Sequence, residues 1–104
     1  VAIVASKFIE NDVQGLSGSN DKYGGAIFLD QVDTVIVNNS FFAGNTTTQG
    51  SSNLAIGGGF YGQNLNNFNM YNTFFVENLA SQNGAGLALD VVTTVSMINN
   101  NFIS

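Results

Sequence analysis

The charged side chains that could do chemistry in this chain are seven carboxylates and two ammonium groups, because histidine, cysteine and arginine are all absent. Without histidine the commonest acid–base group and metal ligand near neutral pH is missing. Without cysteine there is neither a disulfide nor a thiolate metal site. The net charge is −5, and the only cations are Lys7 and Lys22. Nucleic-acid binding needs clustered cations that displace counterions from phosphates, and an anionic membrane surface makes the same demand, so both classes are set aside. Asp12, Asp21 and Asp30 are scattered and lack the tight Asp/Asn/Gly spacing of a calcium loop. The Gly-Ala-Gly at 84–86 opens no helical pattern, so it is not a nucleotide loop. Neither metal nor cofactor is expected. Glycosidic hydrolysis remains conceivable if two carboxylates converge at a set separation.

Whether they converge depends on the elements that carry them. Twelve glycines, no proline and abundant Asn, Ser and Thr mark a turn-rich β chain. An apolar fraction of 44% argues against disorder, while charged residues at 9% leave amides and hydroxyls to make the surface. That balance is common in secreted proteins. No apolar run approaches the roughly 20 residues of a membrane helix. The chain opens on Val1 with no visible signal peptide, and is expected to be a mature product or an excerpt of something longer.

The sequence repeats itself. From Gly24, Gly57 and Gly84, eleven residues onward lie Val35, Phe68 and Val95; twenty-one onward from the first two lie Asn45 and Asn78. The glycine-to-asparagine segment keeps its length while the links between segments vary, so the links (12–23, 46–56 and 79–83) read as loops. The repeats are about 1–34, 35–67, 68–94 and the start of a fourth at 95–104. In this alignment Val1, Val35, Phe68 and Val95 share a column, and so do Ile3, Val37, Met70 and Met97. The column between them is mixed, which is the period-2 signature of a strand with one buried face. Phe8, Phe42, Phe75 and Phe102 coincide, as do Asn11, Asn45 and Asn78, and also Asn39, Asn72 and Asn99.

Short strands that restart in the same phase suit a parallel coil in which each residue stacks on its equivalent about 4.8 Å away. Stacked asparagines can then satisfy one another's amides, where a lone buried one would be costly. Both asparagine columns are therefore expected to form ladders. The stacked phenylalanines bury apolar area, and Gly24, Gly25, Gly57, Gly58 and Gly84 permit positive φ or close backbone approach. The expected fold is all-β, a single-stranded parallel β-helix of about three full rungs plus the first strand of a fourth.

"GGAI" (24–27), with "FIEN" (8–11), "FAGN" (42–45) and "FVEN" (75–78), resembles the polymorphic outer membrane protein repeat, which pairs a GGA[ILV]-type tetrapeptide with Phe-x-x-Asn. "GGGF" (57–60) and "GAGL" (84–87) are degenerate versions of the tetrapeptide. The resemblance implies a right-handed β-helical surface protein, adhesin-like or stalk-forming. Fold follows from such a pattern more directly than function does.

Placed on these columns, the acids do not cluster. Gln63 separates Asp30 from Asp90, Gly44 separates Glu10 from Glu77, and Asp33 aligns with Asn66 and Thr93. A polysaccharide lyase or hydrolase, both known on parallel β-helices, is therefore the alternative to a non-catalytic chain. An ice-binding face would need a regular threonine array, but "TTT" (46–48) falls in a variable loop and Asn67 interrupts Thr34 and Thr94. Two outward aromatic stripes, Phe28/Tyr61 and Phe41/Phe74, offer a contact surface for a lateral partner or a sugar. Alternatively, loops 12–23 and 46–56 fold over one stripe as a satellite core. "NNS" (38–40) and "NTT" (45–47) match the glycosylation pattern at Asn38 and Asn45, and "NTTTQGSSN" could carry O-linked sugars. Residues 95–104 repeat the phase of 1–10 with no polar cap, so a longer array or end-to-end stacking of copies is expected. The function expected is structural or adhesive, extracellular or at a cell surface, with itself and surface glycans as partners.

Overall fold

The computed structural model describes residues 1–15, 21–49 and 54–104, with backbone alone at 15 and 49. Among the described residues the fold is all-β, with no helix. Repeat one carries β1 (Ala2–Val4), β2 (Lys7–Ile9), β3 (Asp12–Gly15), β4 (Lys22–Tyr23) and β5 (Ile27–Asp30). Next come β6 (Thr34–Asn38), β7 (Phe41–Ala43), β8 (Thr46–Gln49), β9 (Ala55–Ile56) and the long β10 (Phe60–Tyr71). The remainder holds β11 (Phe74–Val76), β12 (Leu79–Ala80), β13 (Leu87–Ile98) and β14 (Asn101–Ile103).

These strands form four separate sheets, and every strand pairing is parallel. The first runs β1-β6-β10-β13, with β5 also on β10; the second runs β2-β7-β11-β14. The third is β3-β8-β12 and the fourth β4-β9. Each pair joins equivalent positions of neighbouring repeats: Ile36 faces Ala2 on one side and Asn69 on the other, and Asn69 faces Ser96. The repeat in the sequence is thus the register of the sheets.

Alternation decides which side is buried. Val35 and Val37 are fully buried while Ile36 between them is 39% exposed. With Phe42, Phe60, Leu65, Phe68, Met70 and Phe75 the two valines form one apolar core, on which Ile3, Phe8, Val32, Leu87 and Val92 pack from either side. Burying each such side chain contributes roughly 1.5–3 kcal/mol.

Single residues of left-handed backbone bend the chain between strands, and they recur at equivalent positions. One column is Ala5, Asn39, Asn72 and Asn99 (φ 48–53°); a second is Glu10, Gly44 and Glu77. A third is Gly24, Gly57 and Gly84, and a fourth is Gln31, Asn64 and Val91. Glycine adopts this conformation freely and asparagine tolerates it, because its short side chain bonds locally. Where β10 and β13 run on for 12 residues each, they pass through such a bend at Asn64 and Val91.

The links 12–23 and 46–56 are not simply loops. They contribute β3, β4, β8 and β9, so the "TTT" run lies in β8, on the third sheet. These strands are only two to four residues long, and β3 and β8 are mostly polar, so their sequences carry no sustained apolar alternation to reveal them. Residues 16–20, the "GSSN" half of the hydroxyl run (50–53) and the O-linked sites expected there lie outside the described residues.

Candidate functional site

Two side-chain columns and two aromatic faces organise the molecule's polar chemistry. The first column follows the bend at Glu10, Gly44 and Glu77. There the backbone N–H and Nδ2 of Asn11 both donate to Asn45 Oδ1, at 3.1 and 2.8 Å. Asn45 donates in the same way to Asn78 Oδ1, at 3.0 and 2.8 Å. The spare amide hydrogen of each lower asparagine goes back across the repeat: Asn45 Nδ2 to the Phe8 carbonyl and Asn78 Nδ2 to the Phe42 carbonyl, both 2.9 Å. Asn45 is wholly buried. Removing its side chain would leave several buried groups unpaired at once, each costing about 1–3 kcal/mol.

Beside it runs the phenylalanine stack. Phe8 lies 4.8 Å from Phe42, Phe42 4.6 Å from Phe75, and Phe75 4.9 Å from Phe102, with ring planes within 12° of parallel. Those separations match the strand spacing, so the register of the second sheet fixes the rings. Phe60 closes the stack edge-on against Phe42 at 6.3 Å.

The second asparagine column does not form a ladder. Asn39, Asn72 and Asn99 are exposed left-handed bends, and among the described residues their side chains have no hydrogen-bond partner. The polar column that is buried here lies one residue later, at Ser6, Ser40, Thr73 and Asn100. Ser6 N–H donates to Ser40 Oγ (3.3 Å), and Thr73 N–H to Asn100 Oδ1 (3.0 Å). Asn100 Nδ2 reaches the Met70 carbonyl at 3.0 Å, mirroring Asn45 and Asn78. The three hydroxyls donate to the carbonyls of Val4, Asn38 and Tyr71. The signal for this column was present in the alignment as four short polar residues in register.

The glycine columns are set by backbone crowding. A Cβ on Gly25 would stand 2.1 Å from the Gly58 carbonyl oxygen, and one on Gly58 2.3 Å from that of Ala85. The third member of the column is Ala85, which is exposed.

The two aromatic stripes differ. Tyr61 is only 4% exposed. Tyr23, arriving on β4 from the first link, stacks on it at 5.0 Å and also meets Phe28 at 5.4 Å. Phe28 and Tyr61 lie 5.5 Å apart and nearly parallel. This stripe is a satellite core, with Phe28 alone left 42% exposed, so Tyr61 is not a contact surface. Burial, then the charges of Asp90 and Asp30, pushes the Tyr61 phenol above its ordinary pKa; burial, then Asp21, does the same to Tyr23. Phe41 and Phe74, paired in register across β7 and β11, face an open groove with Lys7, and Phe74 is 43% exposed.

Four of the seven carboxylates, Asp12, Asp21, Asp30 and Asp33, are engaged with amides and hydroxyls. Asp30 accepts from Asn64 Nδ2 at 2.8 Å and also from Gln63, whose Oε1 takes the Tyr61 hydroxyl at 2.9 Å. Asp33 accepts from Asn66 (2.7 Å) and Thr34 (3.0 Å). These bonds hold both carboxyls below their ordinary pKa. The register runs Asp30, Gln63, Asp90, so an amide stands between the two acids. Asp12 bonds Thr46 and Gln14.

The two sequons lie in different surroundings, Asn45 in the ladder as its column implies and Asn38 in β6. Asn45 presents no free amide to a glycosyl donor, being buried in the ladder. Asn38 is half-buried, its Oδ1 is enclosed without a partner, and the Ser40 of its sequon is buried.

Compared with known proteins, the chain matches no family model, no curated protein and no solved structure. The resemblance to the polymorphic outer membrane protein repeat therefore stands on its quoted motifs.

Proposed function

We propose that this chain is a segment of a parallel β-helix, right-handed by its repeat resemblance, that serves as an elongated extracellular or cell-surface scaffold, structural or adhesive and non-catalytic. The observation that carries this reading is the register: Phe8, Phe42, Phe75 and Phe102 are paired in sequence by three successive parallel ladders, with the asparagine ladder alongside. An arrangement in which each repeat is completed by its neighbours extends by adding repeats, either further along one chain or from a second copy. Its natural product is a rod. The amide- and hydroxyl-bonded acids fit a scaffold, since none stands free beside a second carboxylate in register.

Electron microscopy of the native material, with diffraction along the long axis, tests the reading. Rods or fibres with a reflection near 4.8 Å are expected. Compact particles without that reflection would overturn it. Incubation with uronate polymers and calcium, followed by ultraviolet absorbance, tests the polysaccharide-lyase alternative: new unsaturated ends would replace a scaffold with an enzyme.

A further inference from the structure

The open groove beside β7 has the composition of a sugar subsite. It encloses about 340 Å³ and is lined by Lys7, Asn39, Phe41, Asn72 and Phe74, with buried Ser40 at its floor. Lys7, Phe41 and Phe74 are register partners on β2, β7 and β11, so they stand in a row at the strand spacing, about 4.8 Å apart. The second sheet thus presents one cation and two successive aromatic rings along a line. Asn39 and Asn72 flank that line one strand apart, held outward by their left-handed backbone. Among the described residues, neither their carboxamides nor the Lys7 ammonium has a hydrogen-bond partner. Each amide therefore offers a donor pair and an acceptor to a ligand.

These groups select a ligand class. Aromatic faces accept the C–H face of a pyranose, and exposed amides accept and donate to its hydroxyls, orienting it. The linear order of the row suits a chain of sugars rather than one compact molecule. Lys7 adds a point charge at one end, in a protein with only two lysines and a net charge of −5. We propose that this groove binds an acidic oligosaccharide, its rings over Phe41 and Phe74 and a carboxylate or sulfate at Lys7. The inference rests on the register of β2, β7 and β11 and stands or falls independently of the scaffold reading.

An array of uronate-bearing, sulfated and neutral oligosaccharides, probed with the 104-residue chain, tests it. Binding is expected on acidic glycans, with the signal lost in Phe74→Ala and transferred to indifference between acidic and neutral glycans in Lys7→Gln. Phe74 is half-exposed, so its variant should keep the β-sheet circular dichroism of the parent. Phe28→Ala, on the other stripe, should bind as the parent does. No glycan binding, binding unchanged by Phe74→Ala, or loss caused by Phe28→Ala instead would overturn the assignment. Equal binding of neutral glycans by the parent would overturn the role of Lys7. Concentration-dependent self-association abolished by Phe74→Ala, without glycan binding, would make the groove a contact between copies and overturn the proposal.

Discussion

Phe42 and Phe102 occupy one column with parallel rings, yet Phe42 is fully buried and Phe102 is 49% exposed. The same holds for Val35 against Val95 (0% and 49%) and Met70 against Met97 (0% and 39%). Residue type is similar within each pair; the difference is whether a neighbouring repeat stacks on both sides or on one. Burial among the described residues therefore follows the parallel strands paired on either side. A repeat has no core of its own.

Substitutions at equivalent positions should separate in proportion to that difference. The widest separation is expected in the phenylalanine column. Phe42→Ala should cost about 3–5 kcal/mol in denaturant melts, as a large buried ring lost from a packed core. Phe102→Ala should cost only about 1–1.5 kcal/mol, because roughly half of its burial is missing. Equal losses would show that the stack is not what buries the rings.

The asparagine column should behave likewise on a smaller scale. Asn45→Ala leaves the Asn11 backbone N–H and Nδ2 and the Phe8 carbonyl without their partner, while Asn78 Oδ1 keeps the backbone N–H of residue 45, for an expected loss of about 3 kcal/mol. Asn11→Ala removes only the Nδ2 bond to Asn45 Oδ1, which keeps the backbone N–H of residue 11, for about 1 kcal/mol. Thermal unfolding of the two variants gives the ratio directly.

The bend columns sharpen the comparison in the opposite direction. Asn64 sits at φ 53° in the middle repeat, while the equivalent Val91 is held at φ 53° with its branched side chain 69% exposed. A β-branched residue in this region is a true outlier. Val91→Asn should stabilise the fold by about 1 kcal/mol, read as a raised melting temperature. No gain would mean that the outer bend relaxes in solution.

The smallest effects are those of pH. Asp30 and Asp33 have folded pKa values below the ordinary 3.8, so the stability they contribute is present above that value and is lost as pH falls through the folded values. Both are fully exposed, and Asp33→Asn should do little more than flatten the acid limb of a stability–pH curve. Tyr23 and Tyr61 are raised above 10.0, so their contribution is complete below that pH and disappears as pH climbs through the folded values. Tyr61→Phe should blunt the alkaline limb.

Much of this organisation was legible in the sequence, and the reasons for the rest are specific. A fixed glycine-to-asparagine length puts Phe8, Phe42, Phe75 and Phe102 in register because parallel pairing joins equivalent residues. The third and fourth sheets were hidden because β3, β4, β8 and β9 are two to four residues long, lie within links of unequal length and carry no sustained apolar alternation. Asparagine suits both a buried ladder and an exposed left-handed bend, so alignment alone could not separate Asn45 from Asn39; φ and burial do. Tyr61 read as outward from its strand phase, and only the arrival of Tyr23 from a link explains why it is buried. The groove residues Phe41 and Phe74 were visible as a stripe, whereas the flanking Asn39 and Asn72 became part of it only once the bend column turned them out.

The most direct test of the stack is a double-mutant cycle between Asn45 and Asn78, which lie 33 residues apart in the chain and share two hydrogen bonds. Asn45→Ala, Asn78→Ala and the double variant would be unfolded in denaturant under identical conditions. The stacked register requires a coupling of about 1 kcal/mol, since either substitution alone already breaks the amide-to-amide bond from Asn45 Nδ2 to Asn78 Oδ1. Strict additivity of the two losses would contradict it.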